Sequence, residues 1–446
     1  MKLPAYPRTK PSGVEWLGDV PEHWAVKRLR YLCSIRKGRL PSETFPSATS
    51  DGDLPYLSME FLRGESDAPN FVAPAPSLVR AEAGDLLLLW DGSNAGEFMR
   101  AKKGVVSSTV ARLETRQGEQ VFLAYACKAL EPQIKDQTVG MGIPHVSGDE
   151  LKSCSLPYPD SAEQRSIAAF LDRETGRVDR LVATQREMIE RLKEKRTALI
   201  SRTVTRGLPP AAARAAGLPA NPPLKPSGHP WLDDVPNHWE VKRLKEVSVL
   251  FGRIGFRGYS TDDLVYEGEG AISMSPSNMS DGVVSLDKCT WLSWDKYHES
   301  PEIQVQPEDV IMVKTGSTLG KTAFVRTVPV PMTVNPQLMI FKEVKCSKRF
   351  LFYYLFSNVV QDVIPLHNTG STIPTMTQEG IGKLPFPHPP LPEQAAIAAY
   401  LDLETARLDA LVGKVADAVE RLQEYRTALI TAAVTGKIDV RKEIAP

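Results

Sequence analysis

The alternation of apolar and polar positions picks out two stretches of helical period, Glu163–Val204 and Glu393–Val434. They align without a gap, 230 positions apart. Steps of four and three residues from Ile167 meet Leu171, Glu174, Val178, Leu181, Gln185, Met188, Leu192, Lys195 and Leu199. The second copy gives Ile397, Leu401, Glu404, Leu408, Leu411, Val415, Ala418, Leu422, Tyr425 and Leu429. This spacing is that of a coiled-coil seam, and neither stretch contains proline. At 1.5 Å rise per residue, each stretch predicts a helix roughly 60 Å long. A narrow apolar stripe cannot be buried alone, so each helix needs a partner, and the other copy is the obvious one. Leu171, Val178, Leu181, Leu192 and Leu199 are predicted to pair with Leu401, Leu408, Leu411, Leu422 and Leu429. Glu174 and Glu404 are the polar positions shared by both seams; they reach solvent, bind a partner or fix the register.

A second repeat precedes each helix. Ser12–Leu29 reads SGVEWLGDVPEHWAVKRL and Ser227–Leu244 reads SGHPWLDDVPNHWEVKRL, 215 positions apart. The chain is thus two tandem halves, each an entry segment, a body and a long helix. The offset grows from 215 to 230 between entry and helix, so the second body is 15 residues longer. The bodies have diverged but share punctuation. GDLLLLWDGSNAG (Gly84–Gly96) parallels EDVIMVKTGSTLG (Glu308–Gly320), an apolar strand running into a Gly-Ser loop. VGMGIP (Val139–Pro144) parallels TGSTIP (Thr369–Pro374), and LPYPDSAEQ parallels FPHPPLPEQ before the helices. The helices are expected to start at Ser161 and Pro392, with Glu and Gln in the first turn, where the helix dipole favours an acidic group. Arg206–Pro230, rich in Pro and Ala, reads as a partly extended connector.

The expected organisation is a first strand-rich mixed α/β body over 1–160, a helix over 161–205 and a connector over 206–226. A second body over 227–390, a second helix over 391–436 and a tail over 437–446 follow. The fold class is α+β: two tandem domains, each followed by a long helix, the helices packed as an antiparallel coiled coil with pseudo-twofold symmetry.

Composition narrows the function. The 446 residues carry 54 basic and 54 acidic side chains, a balance that disfavours tight nucleic-acid binding by net charge but allows local basic faces. Cys33, Cys127, Cys154, Cys289 and Cys346 include no Cys-x-x-Cys pair and read as reduced cytosolic thiols, without disulfides or zinc. No signal-peptide pattern is present, and apolar runs such as Leu86–Trp90 are too short to span a membrane. A cytoplasmic location is expected.

The entry pattern W…D.P.HW.VKRL, a variable body, then EQ..IA..LD.ET.R.D.L ending in R.ALI…VT, and a repeat of the whole, resembles the specificity subunit of Type I restriction–modification systems over about residues 10–440. The resemblance implies that the bodies are target recognition domains, each reading one half of a bipartite target in double-stranded DNA. It also implies that the paired helices set the half-site spacing and dock methyltransferase subunits, two of them, with restriction helicase–nuclease subunits as further partners. No catalysis and no cofactor are implied for this chain; S-adenosylmethionine, Mg and ATP belong to the partner subunits. Because the bodies differ, the target is expected to be asymmetric. Dimeric DNA binders place their reading elements about one helical turn, ~34 Å, or multiples of it apart, and a rigid ~60 Å helix pair is a plausible ruler.

Other motifs compete. Asn221-Pro222-Pro223-Leu224 resembles the Asn-Pro-Pro-aromatic site of amino-group DNA methyltransferases, where the aromatic stacks on a flipped base. It would make the chain a self-contained DNA adenine methyltransferase or fused modification enzyme. Leu224 replaces the aromatic, and no glycine-rich cofactor turn lies upstream. GSTLGKT (Gly316–Thr322) resembles a P-loop but has three residues between its glycines where four are needed. His23 and His238 lack metal-ligand spacing to other His, Cys or carboxylates, and read as parts of a packed Trp-His corner.

DNA contacts are expected from polar and basic loops. In the first body these are Arg36, Lys37 and Arg39; Ser93 and Asn94; Arg100, Lys102 and Lys103; and the Gly140–His145 loop with His145. In the second they are Arg253, Arg257 and Tyr259; Lys314, Ser317, Thr318 and Lys321; and Asn368, Ser371 and Thr372. Arg, Asn, Ser and Thr can address base edges, while Lys mostly meets phosphate. A solvated surface loop is the alternative for each.

Overall fold

The computed structural model describes residues 4–138, 144–253, 258–370 and 373–443. The chain divides into two compact units, Met1–Arg186 with Ala416–Pro446, and Glu187–Val415. Each holds one body and one part of each long helix, α1 (Ser161–Arg206) and α2 (Leu391–Val434).

In the first unit, Thr9–Pro11 pairs with Asp19–Pro21, and Ala25–Arg28 pairs antiparallel with Ser155–Tyr158. The VKR of the entry and the LPY before α1, far apart in sequence, are therefore one ladder that closes the body. Inside it, one antiparallel sheet runs in the order Cys33–Lys37, Val110–Thr115, Leu86–Leu89, Phe98–Arg100. A second runs Phe71–Val72, Leu54–Leu57, Gly104–Val106, Arg80–Ala81. Leu86–Leu89 shows why four consecutive leucines make a strand. Side chains alternate across a sheet, and Leu86 and Leu88 enter one core while Leu87 and Leu89 enter another. The first of these cores also holds helix Gln120–Asp136, Ile167 and Leu171 of α1, and Ile430 and Val434 of α2. The tail returns to the entry segment, the Asp439 amide donating to Pro4 O (2.7 Å) and Lys437 Nζ to Asp19 O (2.8 Å).

The second unit repeats the plan with different residues. Glu240–Arg243 pairs with Pro385–His388. A six-stranded sheet has Val310–Val313 between Leu338–Lys342 and Thr322–Phe324, with Val249–Phe251 at one edge. A four-stranded sheet is built on Ala271–Met274 and Met332–Val334. Val310 and Met312 face one core, Ile311 and Val313 the other. The connector is less extended than its composition suggests, because Pro210–Ala215 forms a short helix with proline at its first position. There its fixed φ suits a helix and its missing N–H costs nothing.

Within each unit the two helix segments run antiparallel. In the first unit Asp179 of α1 pairs with Arg426 of α2 (2.8 Å); in the second, Arg196 pairs with Asp409 (3.0 Å). Ile200 and Val204 share their core with Ile397 and Leu401. The α1 positions turned away from solvent are Ile167, Leu171, Thr175, Val178, Val182, Gln185, Ile189, Leu192, Arg196, Ile200 and Thr203. The α2 positions 230 residues later follow the same pattern, with Val412 half-buried where Val182 is buried. That is ten steps in thirty-six residues, the period of a straight α-helix.

This corrects the expected seam at Leu181 and Leu411, which are 44% and 41% exposed. The inward face runs instead through Val182 and Val412, and Thr175 and Thr405 are buried where Glu174 and Glu404 are only half-buried. Leu171, Val178, Leu401, Leu408 and Leu429 are buried as expected, while Leu192, Leu199 and Leu422 are half-buried. Leu181→Ser should therefore change stability by no more than about 0.5 kcal/mol, and Val182→Ala should cost about 1–3 kcal/mol. Chemical denaturation of the two variants separates the seams; an equal loss would restore Leu181 to the interface.

Candidate nucleic-acid interface

The repeated polar residues fix each body to its helices. Glu163, buried in the first turn of α1, accepts from Tyr6 Oη (2.8 Å) and Trp24 Nε1 (3.0 Å) and meets His23 Nε2 at 2.8 Å. Asp160 caps the helix by accepting the Glu163 amide (2.8 Å). Gln164 bonds the Glu119 amide (2.8 Å) and Pro159 O (2.8 Å). The second unit has Glu393 on His238 Nε2 (2.8 Å), and Gln394 on the Ser347 amide (2.7 Å) and Pro389 O (2.7 Å). The two histidines are thus part of a Trp-His corner whose third member is the helix-start Glu.

One helical stage further on, Tyr125 Oη donates to Asp172 (2.7 Å) beside Thr175, and Tyr353 Oη donates to Asp402 (2.6 Å) beside Thr405. Burial, then the bond to Asp402, pushes the Tyr353 hydroxyl up to about 12, so it stays a donor at neutral pH. The apolar period does not reveal these anchors or the Asp179–Arg426 and Arg196–Asp409 pairs. Their signal is identity at equivalent positions of the two helix copies: Asp172 and Asp402, Thr175 and Thr405, Asp179 and Asp409, Arg196 and Arg426.

On this frame both bodies hold the same loop. After Leu86–Leu89 the chain turns at Gly92 (φ 118°), whose amide donates to Pro144 O (3.0 Å), while Asp91 bridges His145. After Val310–Val313 it turns at Gly316 (φ 116°), whose amide donates to Pro374 O (2.8 Å), while Thr315 bridges Thr375. A φ in this range is strained for any residue with a Cβ. GSTLGKT is therefore a turn between strands: its last residue opens the strand Thr322–Phe324, which continues the sheet. A P-loop instead passes its glycines into a helix N-terminus, where the amides cradle phosphate.

The expected contact residues sort into two groups. Lys37, Ser93, Asn94 and His145 come together around the first loop. Lys37 pairs with Asp91 (2.7 Å), Ser93, Asn94 and His145 are exposed, and Asn94 lies against the Arg63 guanidinium. Arg36 and Arg39 are exposed beside them. Lys314, Ser317, Thr318 and Asn368 gather at the second loop, where Asn368 Oδ1 accepts the Gly370 (2.9 Å) and Thr375 (2.8 Å) amides.

The others are engaged elsewhere. Arg100 lies 3.9 Å from Asp172 of α1, Lys102 Nζ donates to Phe61 O (2.6 Å), and Lys103 faces Glu82 at 3.7 Å. Lys321 donates to Pro276 O (3.2 Å), and the Tyr259 hydroxyl accepts from Ser273 (3.2 Å). Arg253, expected on the surface, is 2% exposed, with bonds to Val334 O (3.3 Å) and Thr333 Oγ1 (3.3 Å). It packs the inside of its body because its guanidinium finds carbonyl and hydroxyl acceptors there. Arg257, Ser371, Thr372 and 140–143 lie outside the described residues.

Asn221-Pro222-Pro223 lies in the connector, where Pro223 O accepts the Asn237 amide (2.7 Å) and Leu224 begins a two-residue strand against Val235–Pro236. Among the described residues no cluster of three or more His, Cys, Asp or Glu is arranged to hold a metal, and no helix is long and apolar enough to cross a membrane.

The duplicated body on a two-helix frame, with one polar loop per body, defines a class that known proteins share. The family model for the Type I restriction modification DNA specificity domain matches residues 21–191 and again 236–421. The chain belongs to that family, the specificity subunits of Type I restriction–modification systems. It is 28% identical over 429 residues to the Type I restriction enzyme MjaVIII specificity subunit of Methanocaldococcus jannaschii, covering 95% of this chain and 94% of that one. It is 20% identical to the EcoDI specificity subunit of Escherichia coli, covering 94% and 90%. A solved chain from work on complex assembly and conformational transition of the type I R-M system matches with a TM-score of 0.67 at 19% identity, covering 94% of this chain and 99% of that one.

Proposed function

We propose that this chain is the non-catalytic DNA reader of its complex. The first body reads one half of an asymmetric bipartite target, the second body reads the other, and α1 with α2 sets the distance between half-sites and docks two methyltransferase subunits. S-adenosylmethionine, Mg and ATP are then held by partner subunits, among them a helicase–nuclease where restriction accompanies modification, in the cytoplasm. The observation that carries this reading is the shared loop: an identical backbone turn presents Trp90, Asp91 and His145 in one body and Lys314, Thr315 and Thr375 in the other. A common scaffold with unlike side chains at its tip suits two readers of different base sequences, since sequence is read by side chains at base edges. The methyltransferase alternative at Asn221-Pro222-Pro223 is not favoured, because those residues are tied into the connector and Leu224 offers no aromatic face.

Body exchange tests this. The ladders Ala25–Arg28/Ser155–Tyr158 and Glu240–Arg243/Pro385–His388 close each body at its base. Replacing residues 30–155 with a relative's body should change one half of the methylated motif and leave the other and the gap intact. Sequencing of methylated host DNA reads the result. The purified chain alone should transfer no labelled methyl group to DNA. Alteration of both halves in a folded chimaera, or methyl transfer by the isolated chain, would reject the corresponding part of the reading.

A further inference from the structure

Each body sends one lysine across the same pair of strands, but from opposite strands. Strand register aligns Lys37 with Gly252, Trp90 with Lys314 and Gly148 with Gln378: Arg36 and Phe251 face the equivalent strand positions Arg112 and Ile340, and the bridges Asp91–His145 and Thr315–Thr375 correspond. In the first body Lys37 crosses to Asp91 (2.7 Å) and lies 5.7 Å from the Trp90 ring centroid. A Cβ on Gly148 would stand 3.3 Å from that ring. In the second body the large and small residues trade positions. A Cβ on Gly252 would stand 2.9 Å from Gln378 Nε2, 3.0 Å from Leu338 O and 3.3 Å from Lys314 Nζ, so both donors come close to the bare backbone at that glycine.

The electrostatics differ as well. Asp91 neutralises the first ammonium, whereas its counterpart in the second body is Thr315. Among the described residues Lys314 Nζ has neither an ion pair nor a hydrogen bond, and Gln378 Nε2 is buried without an acceptor. Burial lowers the Lys314 pKa, as expected for a half-buried ammonium that no carboxylate compensates. Leaving a buried donor unmade is costly, and such a pair is explained if an acceptor arrives from outside the chain.

We propose that Lys314 and Gln378 form a base-reading subsite of the second body that takes the acceptor-only O6/N7 edge of a guanine in the major groove. The proposal rests on the second body being a half-site reader. Guanine is the base whose major-groove edge offers two adjacent acceptors, and lysine is among its usual partners. A backbone phosphate offers acceptors too, and the test separates the two.

The experiment uses the full chain with its modification subunits in the host. Lys314→Gln and, separately, Gln378→Ala are made, and the methylated motif is sequenced. One guanine in a single half-site should relax to mixed bases, with discrimination falling about ten- to hundred-fold, while the other half-site stays unchanged. Lys314→Arg, which keeps the donors, should retain the guanine and shows that the fold tolerates change at this position. An unchanged motif with uniformly weaker binding and a shallower salt dependence identifies a phosphate contact and overturns the proposal, as does an unchanged motif at unchanged affinity. Exchange of the second body in the same host is the control. If it alters a half-site and Lys314→Gln does not, the subsite fails and the reader stands; if it alters neither half, the reader itself fails.

Discussion

Glu163→Gln is expected to destabilise the first unit by about 2–4 kcal/mol, and Glu393→Gln to cost the second unit only about 1–2 kcal/mol. The residues are equivalent, but their surroundings are not. Glu163 serves Tyr6, His23 and Trp24, with Arg441 at 3.8 Å. Glu393 serves His238, and Trp239 Nε1 has no hydrogen-bond partner. An amide in place of the carboxylate turns one acceptor into a donor facing donors, and each buried polar group left unmatched costs roughly 1–3 kcal/mol. More groups are orphaned in the first unit, so its loss is larger. Thermal unfolding of the two variants with local fluorescence from Trp24 and Trp239 measures this. Equal losses would show that Tyr6 and Trp24 do not depend on the carboxylate.

The second large effect concerns the ruler. Asp179 pairs with Arg426 and Arg196 with Asp409; Asp179 to Arg196 on α1, and Asp409 to Arg426 on α2, are equal stretches of seventeen residues. Four residues inserted after Ala183 lengthen one stretch and not the other, so both ion pairs and both apolar ends cannot be kept together. Methylation is expected to be lost in that variant. Four residues added to both helices, after Ala183 and after Asp417, restore equal lengths. They extend the pair by about 6 Å and rotate each continuation by about 40°. Since base pairs rise about 3.4 Å each, methylation should return with both half-sites unchanged and a gap longer by one or two base pairs. The methylated motif read from host DNA decides it. An unchanged gap with full activity would show that the helices do not set the distance.

The exposed Leu181 and Leu411, with Met188 and Tyr425, leave apolar side chains on the helices' outer faces. Leu181 and Tyr425 belong to the first unit and Met188 and Leu411 to the second, and the proposed methyltransferase docking can be tested on each by single polar substitutions, because the inward faces are carried by other residues.

Several features were legible in the chain alone, for identifiable reasons. Duplication is visible because the entry segments and helices perform the same packing task twice, and the same contacts demand the same residues: Trp24 and Trp239, Glu163 and Glu393, Leu171 and Leu401. Helix existence followed from forty residues of sustained apolar period without proline. The strand-and-loop punctuation at Gly92 and Gly316 was legible because those turns need a backbone that glycine adopts without strain.

Tertiary structure decided what periodicity cannot carry. A seam template counts along the chain, but which flank of the stripe is covered depends on what packs against it, and Val182 rather than Leu181 faces inward. Arg253 looked like a surface contact until its body placed the Val334 carbonyl and Thr333 hydroxyl around it. The partners of Glu163 lie about 140 residues away in the chain, and no local pattern encodes which buried donors a carboxylate will meet. Lys37 and Lys314 occupy non-equivalent positions in the sequence. Only strand register, which brings separate segments side by side, shows that they cross the same pair of strands from opposite sides, one neutralised by Asp91 and one facing Gly252.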